Sequence, residues 1–327
     1  MLFGLLGSGI KIDLEKDGDM KIAVMGSGGV GGYYGGLLAQ AGCDVTFIAR
    51  GAHLAALCEN GLQVKSVHGD FTITPVQSTD APAEVGPVDL VLVCVKTPDT
   101  DRAAQGIKPL MGPDTTVVSL QNGIDAAERL GTVVGIGRVI GGVTWISSAI
   151  EAPGVIRQFS QFRRIVLGEL DGQITARVQA LAEVLSNAGA TVEVSDNILK
   201  VLWTKFVFIA AVSGIGSLTR LQIGDYRTVP ETRVLMVGLM REVEMIAHAA
   251  GVALDGDVTE QALAIVDGLA AHIKPSMQRD VETGRCSELE SMVGVIGRRG
   301  RELGVATPIA DMVYAALLPV ELKARVG

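Results

Sequence analysis

The sequence predicts an α/β domain built on a parallel sheet, followed by an all-α domain. Three observations carry this. Leu90–Val95 is a continuously apolar run of strand length, and Thr116–Leu120 is similar, as expected of parallel strands buried on both faces. A glycine-rich turn, Gly26-Ser-Gly-Gly-Val-Gly31, separates the β-rich run Lys21–Met25 from a helix-like stretch. After Asp196 the period-two patterns vanish and period-3.6 patterns take over.

Taken in order, residues 1–19 read as a flexible N-terminal extension. Met1–Leu6 is too short to span a membrane, and Asp13–Asp19 is charged. Met20 is a candidate native start, because the patterned chain begins there. Residues 20–195 form the predicted α/β domain. Tyr33–Ala41 is helical, Cys43–Ala49 a strand rich in β-formers, and Ala52–Asn60 a helix stopped by Gly61. Leu62–Val67 and Phe71–Pro75 alternate around a His-Gly-Asp turn and predict a hairpin. Val139–Ser147, Val155–Phe159, Ile165–Leu170 and Thr191–Val194 are further strands, with a helix over Thr175–Ala188. Residues 196–327 form the predicted helical domain, with helices at Pro230–Ala250, Val258–Ile273, Ser287–Leu303 and from Thr307-Pro308 onward. Ser287-x-x-Glu290 has the pattern of a capping box.

Composition narrows the function classes. The chain of 327 residues has 48% hydrophobic and 20% charged residues, which suits a soluble two-domain protein. A net charge of −8 argues against nucleic-acid binding, and an anionic ligand would need a local basic pocket. The four cysteines, Cys43, Cys58, Cys94 and Cys286, form no CxxC pair and read as buried free thiols of a reducing compartment. The four histidines lack metal-ligand spacing, so no metal site is expected. These features together predict a cytoplasmic protein with no membrane association.

Gly26-x-Gly28-x-x-Gly31 lies between a strand and a helix, the context in which GxGxxG binds a dinucleotide. The first glycine makes the turn, the second admits the pyrophosphate, and the third lets helix and strand pack. The helix start supplies N–H groups to the phosphates. About twenty residues on, an NAD-binding domain places an acid for the ribose hydroxyls. Here the strand ends in Ala49-Arg50-Gly51, and an arginine fork suits a 2′-phosphate, which points to NADPH. Lys96 and Asn122 follow two further strands, where open α/β sheets bind ligands.

Within Ile198–Ala211, Lys205 has Val201, Leu202, Phe208 and Ile209 as helical neighbours. Such an ammonium must snorkel, pair or function, and partial desolvation would suit it to giving a proton to a carbonyl oxygen. Glu288 opens a predicted helix, where an acid also favours the helix dipole.

These segments together resemble the ketopantoate reductase family (2-dehydropantoate 2-reductase). The resemblance runs from Met20 through KIAVMGSGGVGGYYG, FIAR, VCVKT, SLQNG, WTKF, PSMQRDVETGRCSELE and the GVATP turn. It implies a Rossmann-type domain joined to a helical one, and NADPH-dependent reduction of a 2-oxo acid, with 2-dehydropantoate to pantoate of pantothenate biosynthesis as the leading reaction. It implies that Gly26, Ser27, Gly28, Gly29, Val30 and Gly31 hold the pyrophosphate, with Arg50 on the 2′-phosphate and Lys96 near the cofactor. Asn122 would touch cofactor and substrate, and Lys205 would be the general acid. Ser276 would contact the substrate carboxylate, and Glu288 would lie near cofactor and lysine. The family's substrate asparagines align with Ile209, Ser213 and Ile223, and of these Ser213 keeps a polar side chain. A more apolar pocket leaves a different, more hydrophobic 2-oxo acid or ketone as an alternative, and a non-catalytic NADPH-sensing module as a second. The apolar helical domain is compatible with a homodimer.

Overall fold

The computed structural model describes residues 20–326, so the extension predicted for residues 1–19 lies outside the described residues. Contacts divide the chain into two compact units. The first holds the described chain up to Val95, Asp101–Leu120 and Ala127–Ile198. The second holds Lys96–Thr100, Gln121–Ala126 and the chain from Leu199 onward. A cut at residue 195 would therefore leave two loops on the wrong side.

The first unit contains β1 (Lys21–Met25), α1 (Gly29–Gln40), β2 (Asp44–Ile48), α2 (Gly51–Asn60), β3 (Leu62–Ser66), β4 (Phe71–Ile73), β5 (Gln77–Thr79) and β6 (Val88–Val93). It continues with α3 (Thr100–Gly106), β7 (Met111–Ser119), α4 (Ala126–Val134), β8 (Val139–Trp145), β9 (Ser148–Ala152), β10 (Val155–Gln158), β11 (Arg164–Glu169), α5 (Ala176–Asn187) and β12 (Thr191–Val194). An eight-stranded sheet runs β12-β11-β8-β7-β6-β1-β2-β5. Its stretch β5-β2-β1-β6-β7-β8 is parallel throughout and has the strand order of the doubly wound dinucleotide-binding fold. β11 joins the far edge antiparallel to β8. Val91, Leu92 and Val93 in the sheet centre are fully buried, as continuous apolarity predicts.

The predicted hairpin is present: β3 pairs antiparallel with β4, Leu62 opposite Ile73. It belongs to a second, four-stranded sheet, β4-β3-β10-β9. The edge strand β9 has no apolar alternation to betray it, because most of its residues are exposed and its pairing partner is the later β10.

In the second unit, α6 (Ile198–Thr219) is followed by α7 (Ile223–Tyr226), α8 (Pro230–Ala249), α9 (Val258–Gly268) and α10 (Ser276–Glu282). A π-helical turn (Glu290–Gly294) leads into α11 (Val295–Leu303), and α12 (Pro308–Val326) ends the described chain. α6 is long and apolar enough to cross a membrane, but more than half of its most apolar window is buried in the protein. Phe206, Val207, Ala210 and Ile215 of α6 share one core with Leu239 and Val243 of α8 and Val313 of α12. The helix over 258–273 is shorter than its pattern: Leu269 turns to extended backbone after Gly268.

The capping box does not form. The Ser287 hydroxyl donates to Glu321 Oε2 at 2.6 Å and accepts from Leu289 N–H, while the Glu290 carboxylate accepts from Arg298 and Tyr314. Buried Glu321 also accepts the Ser287 N–H at 3.0 Å, so a distant helix caps this turn. Glu242 does the same for α12, accepting from the N–H groups of Ile309 and Ala310 at 2.7 and 2.8 Å. No disulfide joins the four cysteines, but they are not the buried thiols expected: Cys43 and Cys94 are half-buried, and Cys58 and Cys286 are exposed.

Candidate functional site

The glycine turn follows β1 directly. Gly26 takes φ +97°, and a Cβ there would stand 2.6 Å from Val95 N, so the turn excludes a side chain on two counts. A Cβ on Gly31 would lie 2.2 Å from Gly26 O and 2.9 Å from Val24 Cγ1. This is the close helix–strand packing that the third glycine permits. Gly28 differs: nothing lies within 4 Å of where its Cβ would be. Open space at that position is what a pyrophosphate approaching the backbone needs. Gly28 is the N-cap of α1 and, as a glycine, has no side chain to cap the first N–H groups of the helix. Gly29 answers to another constraint, since its Cβ would strike Ser148 O of β9 at 2.5 Å. α1 is thus wedged between the two sheets of its unit.

The end of β2 is tied to this turn. Ile48 O accepts from the N–H groups of Gly26 and Ser27 at 3.2 and 3.3 Å and from the Ser27 hydroxyl at 3.1 Å. Arg50, two residues further, is exposed and caps α2 with extended backbone. Among the described residues it has no ion-pair partner. The cradle, the open approach at Gly28 and the unengaged guanidinium fit a 2′-phosphorylated dinucleotide.

The second unit assembles a different set. Lys205, on α6, donates from Nζ to Asn122 Oδ1 at 2.9 Å. The Asn122 amide donates in turn to the Glu288 carboxylate. Thr97 N–H donates to Glu288 Oε1 at 3.3 Å. Lys96 Nζ pairs with Asp280 Oδ2 at 2.5 Å. Gln121 Nε2 donates to Thr100 Oγ1 at 2.8 Å, joining the two loops that carry Asn122 and Lys96. Lys205, Asn122, Glu288 and Lys96 therefore come together from four separated segments. Ser276 is exposed at the start of α10 and Ser213 is buried in α6, and neither is hydrogen-bonded to this group. Ile223 is fully buried in the helical core, whereas Ile209, one turn beyond Lys205, is half-buried.

The electrostatics suit proton transfer. Desolvation pushes the Lys205 pKa down to about 8, and the nearby Glu288 charge opposes that fall. Burial raises the Glu288 pKa, while hydrogen bonds from Thr97 and Asn122 and the charge of Lys96 hold it back. An ammonium that must be protonated to act is fully charged below its pKa and loses its proton above it. Turnover in the reduction direction is thus expected to be level on the acid side of pH 8 and to fall above it. Glu288→Gln, which removes the stabilising charge, moves that limb to lower pH. A kcat profile flat from pH 7 to 10 would refute the role of Lys205.

Asp280 of α10 also belongs to this group, and nothing in the local sequence marks it. An acid on a short helix gives no local sign that it will meet Lys96, 184 positions away. His53 of α2, which meets the glycine turn 26 positions away, carries no distinctive local pattern either.

A glycine cradle behind the first strand of a doubly wound sheet, with a desolvated lysine held by an amide in a helical unit, defines a Rossmann-fold oxidoreductase. Residues 22–172 match the family model described as Ketopantoate reductase PanE/ApbA, and residues 197–321 match that of its C terminal domain. The 2-dehydropantoate 2-reductase of Mesorhizobium japonicum is 32% identical, covering 90% of this chain and 96% of its own. A PanE/ApbA family ketopantoate reductase from Ralstonia eutropha superposes with a TM-score of 0.86 at 32% identity, covering 94% of this chain and 100% of its own. D-mandelate dehydrogenase, solved with NADH and anilino(oxo)acetate, superposes with a TM-score of 0.85 at 25% identity, again covering 94% of this chain and 100% of its own. The chain belongs to the ketopantoate reductase family.

Proposed function

We propose that the protein reduces a 2-oxo acid to the 2-hydroxy acid with NADPH, and that 2-dehydropantoate is its leading substrate. The observation that carries this is Lys205, a lysine whose pKa burial pushes down to about 8 and whose Nζ is hydrogen-bonded to an amide that also meets Glu288. Gly26 to Gly31 would hold the pyrophosphate, and Arg50 the 2′-phosphate. Bound there, the reduced nicotinamide supplies hydride to the carbonyl carbon. Lys205 gives its proton to the carbonyl oxygen. Asn122 fixes the direction of the ammonium, and Glu288 keeps it charged. Lys96, neutralised in part by Asp280, lends positive charge beside Glu288. Relatives named 2-dehydropantoate 2-reductase support the substrate.

A second reading is favoured by Ile209 and by the D-mandelate dehydrogenase neighbour, which was solved with an aromatic 2-oxo acid analogue. Ile209 offers an apolar wall where the family pattern has an amide, which suits a bulkier, more hydrophobic 2-oxo acid. Initial rates with a panel of 2-oxo acids, from 2-dehydropantoate to phenylglyoxylate, with NADPH and NADH in parallel, separate the two readings. Ile209→Asn is expected to raise kcat/KM for 2-dehydropantoate about three- to tenfold, the worth of one hydrogen bond. Cofactor binding without oxidation by any member of the panel would leave the protein as a dinucleotide sensor and refute the catalytic reading.

A further inference from the structure

We propose that His53 is a positioning residue for the cofactor, a strut that sets the direction in which the glycine turn presents its backbone N–H. The inference rests on the dinucleotide reading of that turn.

His53 lies on α2, three residues after Arg50. Its Nε2 is 2.8 Å from Ser27 O, and its Nδ1 is 3.1 Å from Gly154 N. A carbonyl oxygen can only accept and a backbone N–H can only donate. The ring is therefore the neutral tautomer that carries hydrogen on Nε2 and a free lone pair on Nδ1. Burial lowers the His53 pKa, in keeping with a ring that stays uncharged.

Both partners matter. Gly154 forms the turn between β9 and β10 at φ +76°, and its own carbonyl accepts from Gln63 N–H of β3 at 2.9 Å. The second sheet thus holds the ring from behind. Ser27 is the second residue of the glycine turn. In the trans peptide that joins it to Gly28, the carbonyl and the N–H point in opposite directions. Holding the Ser27 carbonyl toward α2 therefore turns the Gly28 N–H the other way. Gly28 is the residue whose side-chain position is open. His53 so aims an N–H donor without touching the ligand. No phenyl, aliphatic or charged side chain can both donate to Ser27 and accept from Gly154, but a glutamine amide can.

The test uses the full chain with NADPH. His53→Ala is expected to raise the NADPH Kd and KM about tenfold, with kcat at saturating NADPH changing less than KM. His53→Gln restores most of the affinity, and His53→Phe, which fills the space without hydrogen bonds, does not. In the wild type, the imidazole nitrogen NMR shifts of His53 show a protonated Nε2 and an unprotonated Nδ1, a readout independent of whether any variant folds. A His53→Ala or His53→Phe protein that binds NADPH within twofold of wild type, or a ring protonated on Nδ1, overturns the inference. If wild type binds neither NADPH nor NADH, the dinucleotide reading itself fails, which the variants alone would not show.

Discussion

Lys205→Ala is expected to lower kcat by about two to four decades, the usual contribution of a positioned general acid, while NADPH binding stays near wild type. The separation follows from placement. Lys205 belongs to the helical unit and the phosphate cradle to the sheet unit. Removing the ammonium deletes the proton donor and leaves the glycine turn and Arg50 untouched. The variant also frees Asn122 Oδ1 of its partner, so Asn122→Ala should show part of the same loss. Lys205→Arg is a sharper version of the test. It keeps a positive charge and a donor to Asn122, but guanidinium does not release its proton near neutral pH. A general-acid role therefore predicts that arginine fails to rescue kcat. Near-normal turnover of either variant, measured by single-turnover NADPH oxidation, would remove Lys205 from the mechanism.

Arg50→Glu is expected to weaken NADPH binding about 100-fold, the scale of two charge-assisted bonds replaced by repulsion, and to leave NADH binding equal or improved. Arg50 is exposed, has no ion-pair partner among the described residues, and follows the strand whose last carbonyl is tied to the glycine turn. Those are the conditions for meeting a 2′-phosphate rather than a neighbour in the protein. Calorimetric titration with both cofactors decides the matter. An unchanged preference, or a wild type that already favours NADH, would show that the phosphate is bound elsewhere or not at all. The NADH-bound D-mandelate dehydrogenase neighbour makes the second outcome worth measuring first.

The sheet unit was largely legible. Its central strands announce themselves as apolar runs because parallel strands are covered on both faces. What escaped were the helices α3 and α4 and the strands β5 and β9, and these short strands have little apolar pattern and depend on pairing partners supplied by β2 and β10. The capping box at Ser287 failed for a related reason. Its residues have the right spacing, but buried Glu321, 34 positions later, takes the Ser287 N–H in place of the local carboxylate and also accepts from the Ser287 hydroxyl.

The glycine turn and Arg50, two residues past β2, are legible from local sequence alone. Turn, helix start and arginine lie within one βαβ stretch, so their sterics and hydrogen bonds are set by near neighbours and are written in local order. Only the tertiary structure decided what surrounds Lys205 and what lies behind the glycines. Lys205 meets Asn122 across 83 positions, and Thr97 meets Glu288 across 191. Such pairings depend on how distant helices and loops pack into the second unit, and no local pattern encodes them. The same packing places Ile223 and Ser213 in the interior and leaves Ile209 half-buried one turn from the lysine.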